Sequence, residues 1–221
     1  MKKFMYVDAC DSTQDLLKEQ LKLEAHDELT VCCEHQRKGY GRGDNTWDDS
    51  SGTLCFSMTI KPHVKVTFTA LEISLLIRNF FLLKGKEIKV KWPNDLITGE
   101  EKKCGGVLVQ TFGTHHFAGI GLNLFQNDHI YGGIYESTFL LEKKEWGKEL
   151  SDFIRDNRYE CTEDLTKDWL QSCIHLNREV KIFEGTQETR GVFIGLGTYG
   201  EAMLENSQGI HHLFNGSLRL V

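Results

Sequence analysis

The chain has 221 residues, 40% of them hydrophobic and 26% charged, enough to bury a large core and to carry one small satellite. Its formal net charge is −6, with no block of lysine and arginine that would follow a phosphate backbone through several contacts, so nucleic acid is not expected as a partner. No apolar run reads as a signal peptide or bilayer span, which predicts a cytoplasmic protein without a membrane partner, and seven cysteines without a CxxC pair read as reduced thiols.

In chain order, a short strand over residues 3–9 leads to Asp11-Ser12-Thr13 and then to a helix whose Leu16, Leu17, Leu21 and Leu23 are spaced to line one face. Ser12, followed three residues later by Asp15, has the spacing of a capping box and sets the hydroxyls at a helix start. Residues 29–36 read as a strand and the glycine-rich stretch 38–47 as a loop. Residues 53–60 read as a second strand, with Leu54, Phe56, Met58 and Ile60 on one face. A strong helix is predicted over 68–83, strands over 87–92, 95–98, 103–112 and 115–125, and further helices near 145–157 and 161–176. Runs of strands joined by turns, with helices packed beside them, predict an α+β domain with a mostly antiparallel sheet. Beyond His175 the texture changes to short β segments separated by glycine and asparagine turns, enough for a small barrel that leans on the main domain. The boundary is therefore expected between a domain over 1–175 and another over 176–221.

Four stretches carry candidate chemistry. Gly39, Gly41 and Gly43 alternate around Tyr40 and Arg42, which lets bare backbone N–H groups approach an anion closely. The spacing fits neither a phosphate loop nor a dinucleotide fingerprint, and taken alone a flexible hairpin connection explains it better. In Lys91-Trp92-Pro93-Asn94-Asp95 the proline ends a strand and leaves Asn94 and Asp95 at its edge, suited to magnesium or polyphosphate oxygens, or simply to an Asx turn. Lys103 stands just before Gly105-Gly106, where a lysine can enter a site over a bare backbone; most such lysines are solvated turn residues. In Gly119-Ile120-Gly121-Leu122-Asn123 the glycines alternate inside a strand and clear one face, for a ligand or for close packing.

The order of these stretches decides what none decides alone. Asp11-Ser12-Thr13-Gln14, then Gln36 to Trp47, Lys91 to Asp95, Lys103 to Gly106 and Gly119 to Asn123 closely resembles the catalytic domain of biotin protein ligases. The resemblance covers roughly residues 8–125, and the β-rich tail is similar in texture only to the family's small SH3-like domain. It implies that biotin and MgATP form biotinyl-5'-AMP, and that the biotinyl group passes to a lysine of a biotin carboxyl carrier protein. Two anions must meet for this, and like charges about 4 Å apart repel by ~1 kcal/mol in water and ~4 kcal/mol at an effective dielectric of 20. Fixed cations are therefore the main requirement.

By the same resemblance Lys103 and Arg42 are the catalytic cations. Ser12, Thr13, Gln14 and Gln36 would contact biotin, together with Gly39, Tyr40 and Gly41 of the loop and the bare strands at Gly105, Gly106, Gly119 and Gly121. Trp47, Lys91, Asn94, Asp95 and Asn123 would join Arg42 and Lys103 around ATP, with Asp95 toward Mg²⁺. Two departures stand out: Tyr40 occupies a place where many members carry a second arginine, and Asp44 and Asn45 stand where basic residues are common. The catalytic motifs begin almost at residue 1, so a transcriptional repressor role, which in this family needs a helix-turn-helix domain, is not expected. A homodimer is left open. The competing readings are a lipoate or octanoate ligase or transferase of related fold, and a non-catalytic biotin sensor. A Cys/His metal protein is disfavoured because the nine histidines and seven cysteines never adopt ligand spacing.

Overall fold

Strand alternation decides which layer covers which face of the main sheet. In the computed structural model, which describes residues 2–24, 27–43, 45–125, 131–137 and 142–221, β1 (Lys3–Cys10) leads through α1 (Thr13–Leu23) to β2 (Leu29–Gln36). β1 and β2 pair in parallel, the connection a crossover helix allows. Leu17 and Leu21 of α1 are buried with Leu29, Val31 and Phe117, while Leu23 is 80% exposed. Leu23 therefore leaves the expected apolar stripe, because two residues beyond Leu21 is about 200° further round a helix.

The glycine-rich stretch is a hairpin rather than a plain loop: β3 (Gly39–Tyr40) pairs with β4 (Thr46–Trp47), Gly39 opposite Trp47. β5 (Thr53–Ile60) is buried on both faces, not only on the Leu54–Ile60 side, because it sits inside the sheet. After α2 (Thr69–Leu83) come β6 (Lys89–Lys91), β7 (Asp95–Ile97), β8 (Lys103–Phe112) and β9 (His115–Asn123). The seven-stranded order is β1-β2-β5-β9-β8-β7-β6, antiparallel at every junction except β1–β2. α3 (Lys143–Asp156) and α4 (Thr162–Ser172) complete the helices. On the face away from α1, Cys32 belongs to the main core, where a Cβ at Gly147 of α3 would lie 2.9 Å from its sulfur. Val31, its neighbour in sequence, faces α1, as the period of two requires. The stretch Val66–Leu83 has the length and hydropathy of a membrane span, yet 61% of it is buried within the protein, with Ile73, Leu75 and Ile77 in the core. All seven cysteines are free, four of them buried.

The C-terminal strands overturn one expectation. β10 (Glu179–Glu184), β11 (Gln187–Leu196), β12 (Ala202–Asn206), β13 (Gly209–Leu213) and β14 (Ser217–Leu220) form a five-stranded antiparallel sheet ordered β13-β12-β11-β10-β14. The sheet is open, with β13 and β14 as its edges, and is not an SH3-like β-barrel. The reason is pairing: β14 adds to β10, with Ile182 opposite Leu218, instead of joining β13 to close a ring. Its apolar side chains Val180, Ile182, Phe193, Ala202 and Leu204 belong to the main core instead of enclosing one of their own. Trp92, 2% exposed, ties the two sheets by donating from Nε1 to the Gly200 carbonyl at 3.1 Å.

Candidate active site

A cavity of about 890 Å³ is lined by the start of α1, the β3–β4 hairpin, the Trp92–Asp95 turn, β8 and β9, and turns of the C-terminal sheet. Three backbone arrangements build its walls. The first is the start of α1, where the Ser12 side chain caps the helix by accepting from the Gln14 N–H at 3.3 Å. Thr13 N–H and Oγ1 then reach Gln36 Oε1 at 2.9 and 3.2 Å, and Thr13 Oγ1 lies 2.9 Å from Ser57 Oγ. This network fixes Gln36 at the end of β2 before any ligand arrives. Its backbone N–H is held in turn by Asp49 Oδ2 at 3.2 Å. Gln14, 5% exposed, has a buried Oε1 with no hydrogen-bond partner among the described residues. An unsatisfied buried acceptor beside a cavity is a place for a ligand N–H.

The second wall is bare strand. A Cβ at Gly119 would lie 2.4 Å from Gln14 Cδ, and one at Gly121 would lie 2.4 Å from the Trp47 ring. These glycines let Gln14 and the indole lie directly on the sheet. Gly106 has room, its nearest neighbours being Lys103 and the Asn94 carbonyl at 3.6 and 3.7 Å. Gly105 points to the opposite face, where a Cβ would press on Leu122 Cδ2 at 2.7 Å.

The third wall carries charge. Lys103 Nζ lies 2.6 Å from Asp95 Oδ1, and Lys91 Nζ lies 3.8 Å from Asp95 Oδ2. Arg42 Nη1 reaches Asn94 Oδ1 at 3.5 Å and Nη2 the Gly216 carbonyl at 3.3 Å, so the hairpin arginine bridges two other elements. Asn94 is itself fixed, its Nδ2 donating to the Val107 carbonyl and its own carbonyl accepting from Val107 N–H. Burial lowers the Lys91 ammonium pKa, and the nearby Lys103 and Arg219 push the same way, against Asp95. Burial also lowers that of Arg42, with Asp95 opposing. Several cations thus share one carboxylate, and an incoming polyanion would relieve that crowding.

Tyr40, in place of a second hairpin arginine, donates its hydroxyl to Asp15 Oδ1 at 2.9 Å and accepts from Lys18 Nζ at 3.0 Å. Asn45 Nδ2 closes the hairpin on the Arg42 carbonyl at 2.7 Å, while Asp44 lies outside the described residues.

Of the residues expected in the site, Thr13, Gln14, Gln36, Tyr40, Gly41, Arg42, Trp47, Asn94, Asp95, Lys103, Gly106, Gly119, Gly121 and Asn123 line this single cavity. Ser12, Gly39, Lys91 and Gly105 support it without lining it: a cap, a hairpin position where a Cβ would meet Gln36 Nε2, the second cation on Asp95, and a glycine on the far face. The sequence reading missed the C-terminal contribution, in which Phe183 to Gly185 and Asn215 to Leu218 close one side. Asn215-Gly216 reads as an ordinary turn, and only tertiary packing brings it to Arg42. Among the described residues, no group of three His, Cys, Asp or Glu side chains is arranged for a metal ion.

The biotin/lipoate A/B protein ligase family model matches residues 6–127. Among curated proteins, the chain is 26% identical over 164 residues to chloroplastic biotin–protein ligase 1 of Arabidopsis thaliana, a match covering 62% of this chain and 44% of that protein, so it spans less than half the length of that relative. It is 21% identical to the bifunctional ligase/repressor BirA of Bacillus spizizenii, over 98% of this chain and 73% of that protein. Among solved structures, the biotin protein ligase from Aquifex aeolicus in complex with biotin and ATP has the same fold, with a TM-score of 0.83, 23% identity and all of both chains covered. The family model covers more than half of the sequence and contains every motif that lines the cavity from the N-terminal side, and on that ground the chain belongs to the biotin/lipoate A/B protein ligase family.

Proposed function

We propose that this chain is an ATP-dependent biotin protein ligase. In the first step a biotin carboxylate oxygen attacks the α-phosphorus of ATP, the bond to the β-phosphate oxygen breaks, and biotinyl-5'-AMP and pyrophosphate form. In the second, the amine of a carrier lysine attacks the acyl carbon, an amide forms and AMP leaves. The observation that carries this reading is the convergence in one cavity of Lys103 and Arg42 with a preset Thr13–Gln36 network and a buried Gln14 Oε1 that has no partner among the described residues. Cations offset the repulsion between two anions, and fixed polar groups select a ligand with matching donors and acceptors, as the ureido ring of biotin has.

Lys103 is assigned the bridge between biotin carboxylate and α-phosphate, because a compact ammonium stabilises charge that builds on the transferring phosphorus. Arg42, with its planar fork, would hold the phosphate or carboxylate beside it. Asp95 orients Lys103 at 2.6 Å and is the carboxylate offered to magnesium. Magnesium would supply positive charge against the phosphates of ATP, with Asp95 as the residue that would hold it from the protein side. Ser12, Gly39 and Gly105 are assigned structural support of the biotin end, and Lys91, Asn94 and Asn123 the polyphosphate end. The partner is a biotin carboxyl carrier protein. Biotin-dependent exchange of labelled pyrophosphate into ATP tests the first step; exchange with lipoate or octanoate and none with biotin would favour the other branch of the family.

A further inference from the structure

We infer that Tyr40, Asp15 and Lys18 form a latch that holds the glycine hairpin closed against α1, so that Tyr40 is a positioning residue which slows escape of the acyl-adenylate. The inference rests on the proposed ligase reading for its consequence, but the latch itself is a geometric feature of the free protein. Its three polar groups close a triangle. The Tyr40 hydroxyl donates to Asp15 Oδ1 at 2.9 Å and accepts from Lys18 Nζ at 3.0 Å, and Lys18 Nζ is 3.1 Å from Asp15 Oδ1. Each member satisfies the other two, so the arrangement is not an incidental contact of one long side chain.

Asp15 stands where a capping box would turn an acid back toward the helix start, yet it accepts from Tyr40. Lys18, one turn further, sits 5.6 Å from the centroids of both the Tyr40 and the Phe117 rings, which ties the latch to β9 as well. At the other side of the hairpin Arg42 reaches Asn94 and the Gly216 carbonyl. The hairpin is thereby anchored on two sides, to α1 through Tyr40 and to the Trp92–Asp95 turn and C-terminal sheet through Arg42. An arginine at position 40 would add a cation beside Lys18 and could not donate and accept at one atom as a phenol does. The tyrosine replaces charge with a bond that keeps the hairpin in place.

Opening the hairpin must break this triangle, so its loss is read in hairpin opening and in adenylate release. In Tyr40→Phe, which keeps the ring, we expect the Gly41 amide, bonded at 2.8 Å to the Asn45 carbonyl, to exchange its hydrogen faster in the ligand-free protein. The expected factor is about fivefold, the scale of one partly exposed charge-assisted hydrogen bond. Biotinyl-adenylate should dissociate faster by about the same factor. Asp15→Ala should reproduce both effects, and the double variant should be no worse than the more affected single one, since both remove the same contact. Unchanged hydrogen exchange and adenylate release in Tyr40→Phe, or fully additive effects in the double variant, would overturn the latch. If the protein forms no adenylate at all, the ligase reading fails by itself and the exchange measurement still decides the latch.

Discussion

Replacing Lys103 by methionine removes the ammonium while keeping an unbranched side chain over Gly106. In the free protein the loss is modest, because Lys103 is 38% exposed and Asp95 retains Lys91 at 3.8 Å. In the reaction it is large. An ammonium about 4 Å from an anion contributes ~1 kcal/mol in water and ~4 kcal/mol at an effective dielectric of 20. A partly exposed site falls between these limits, and ~3 kcal/mol corresponds to roughly a 150-fold loss of rate. We therefore expect Lys103→Met to lower biotin-dependent pyrophosphate release by about two orders of magnitude. Biotin binding, which the proposed function assigns to Thr13, Gln14 and Gln36, should weaken by less than about fivefold. The assay pairs single-turnover pyrophosphate release with calorimetric titration of biotin. Equal losses in both, or a release rate within about threefold of the unaltered protein, would refute the role given to Lys103.

Two further outcomes follow from the same geometry. Gly119→Ala puts a Cβ 2.4 Å from Gln14 Cδ, so Gln14 must vacate its place on the sheet; the biotin KM should rise by about tenfold or more with a smaller change in kcat. An unchanged KM would mean that Gln14 is not part of the biotin subsite. His175 is fully buried, and burial, aided by Lys91 and Arg178, lowers its pKa to about 3. A depressed histidine pKa means that the unfolded chain takes up the proton first, so the contribution is intact above about pH 6.5 and is lost progressively as pH falls toward the folded value. At roughly 1.4 kcal/mol per pH unit, stability should fall by about 2 kcal/mol between pH 6.5 and 5 from this group, a slope that His175→Phe removes. Denaturant titrations across that range provide the check, and identical slopes in both proteins would contradict it.

Much of the main sheet was legible because its strands combine alternation with sharp turn residues at both ends: the predicted spans 29–36, 53–60 and 103–112 match β2, β5 and β8 residue for residue. The paired strands β3 and β4 inside the glycine-rich loop were not, since they are two residues each and lack an alternating run to read. Openness of the C-terminal sheet was not legible either: local pattern marks short β segments, with residues 210–220 read as one, but not that β14 separates from β13 and joins β10. Within the site, the motifs picked out residues that line one cavity and left their facing unresolved. Gly105 and Gly106 look equivalent in sequence, yet adjacent strand positions face opposite ways and only Gly106 meets the cavity. The contributions of Phe183 and Asn215 come from a distant part of the chain and carry no motif. Tyr40 was visible as a departure from the family pattern. Its partners Asp15 and Lys18 emerge only once α1 and the hairpin are placed side by side.

The most direct test of the ligase reading is incubation of the protein with biotin, MgATP and a biotin carboxyl carrier domain, followed by mass spectrometry of the carrier. A biotinyl mass gain confined to one lysine, dependent on ATP and lost with Lys103→Met, is the expected result. No gain with biotin, alongside a gain with lipoate or octanoate under the same conditions, would contradict it.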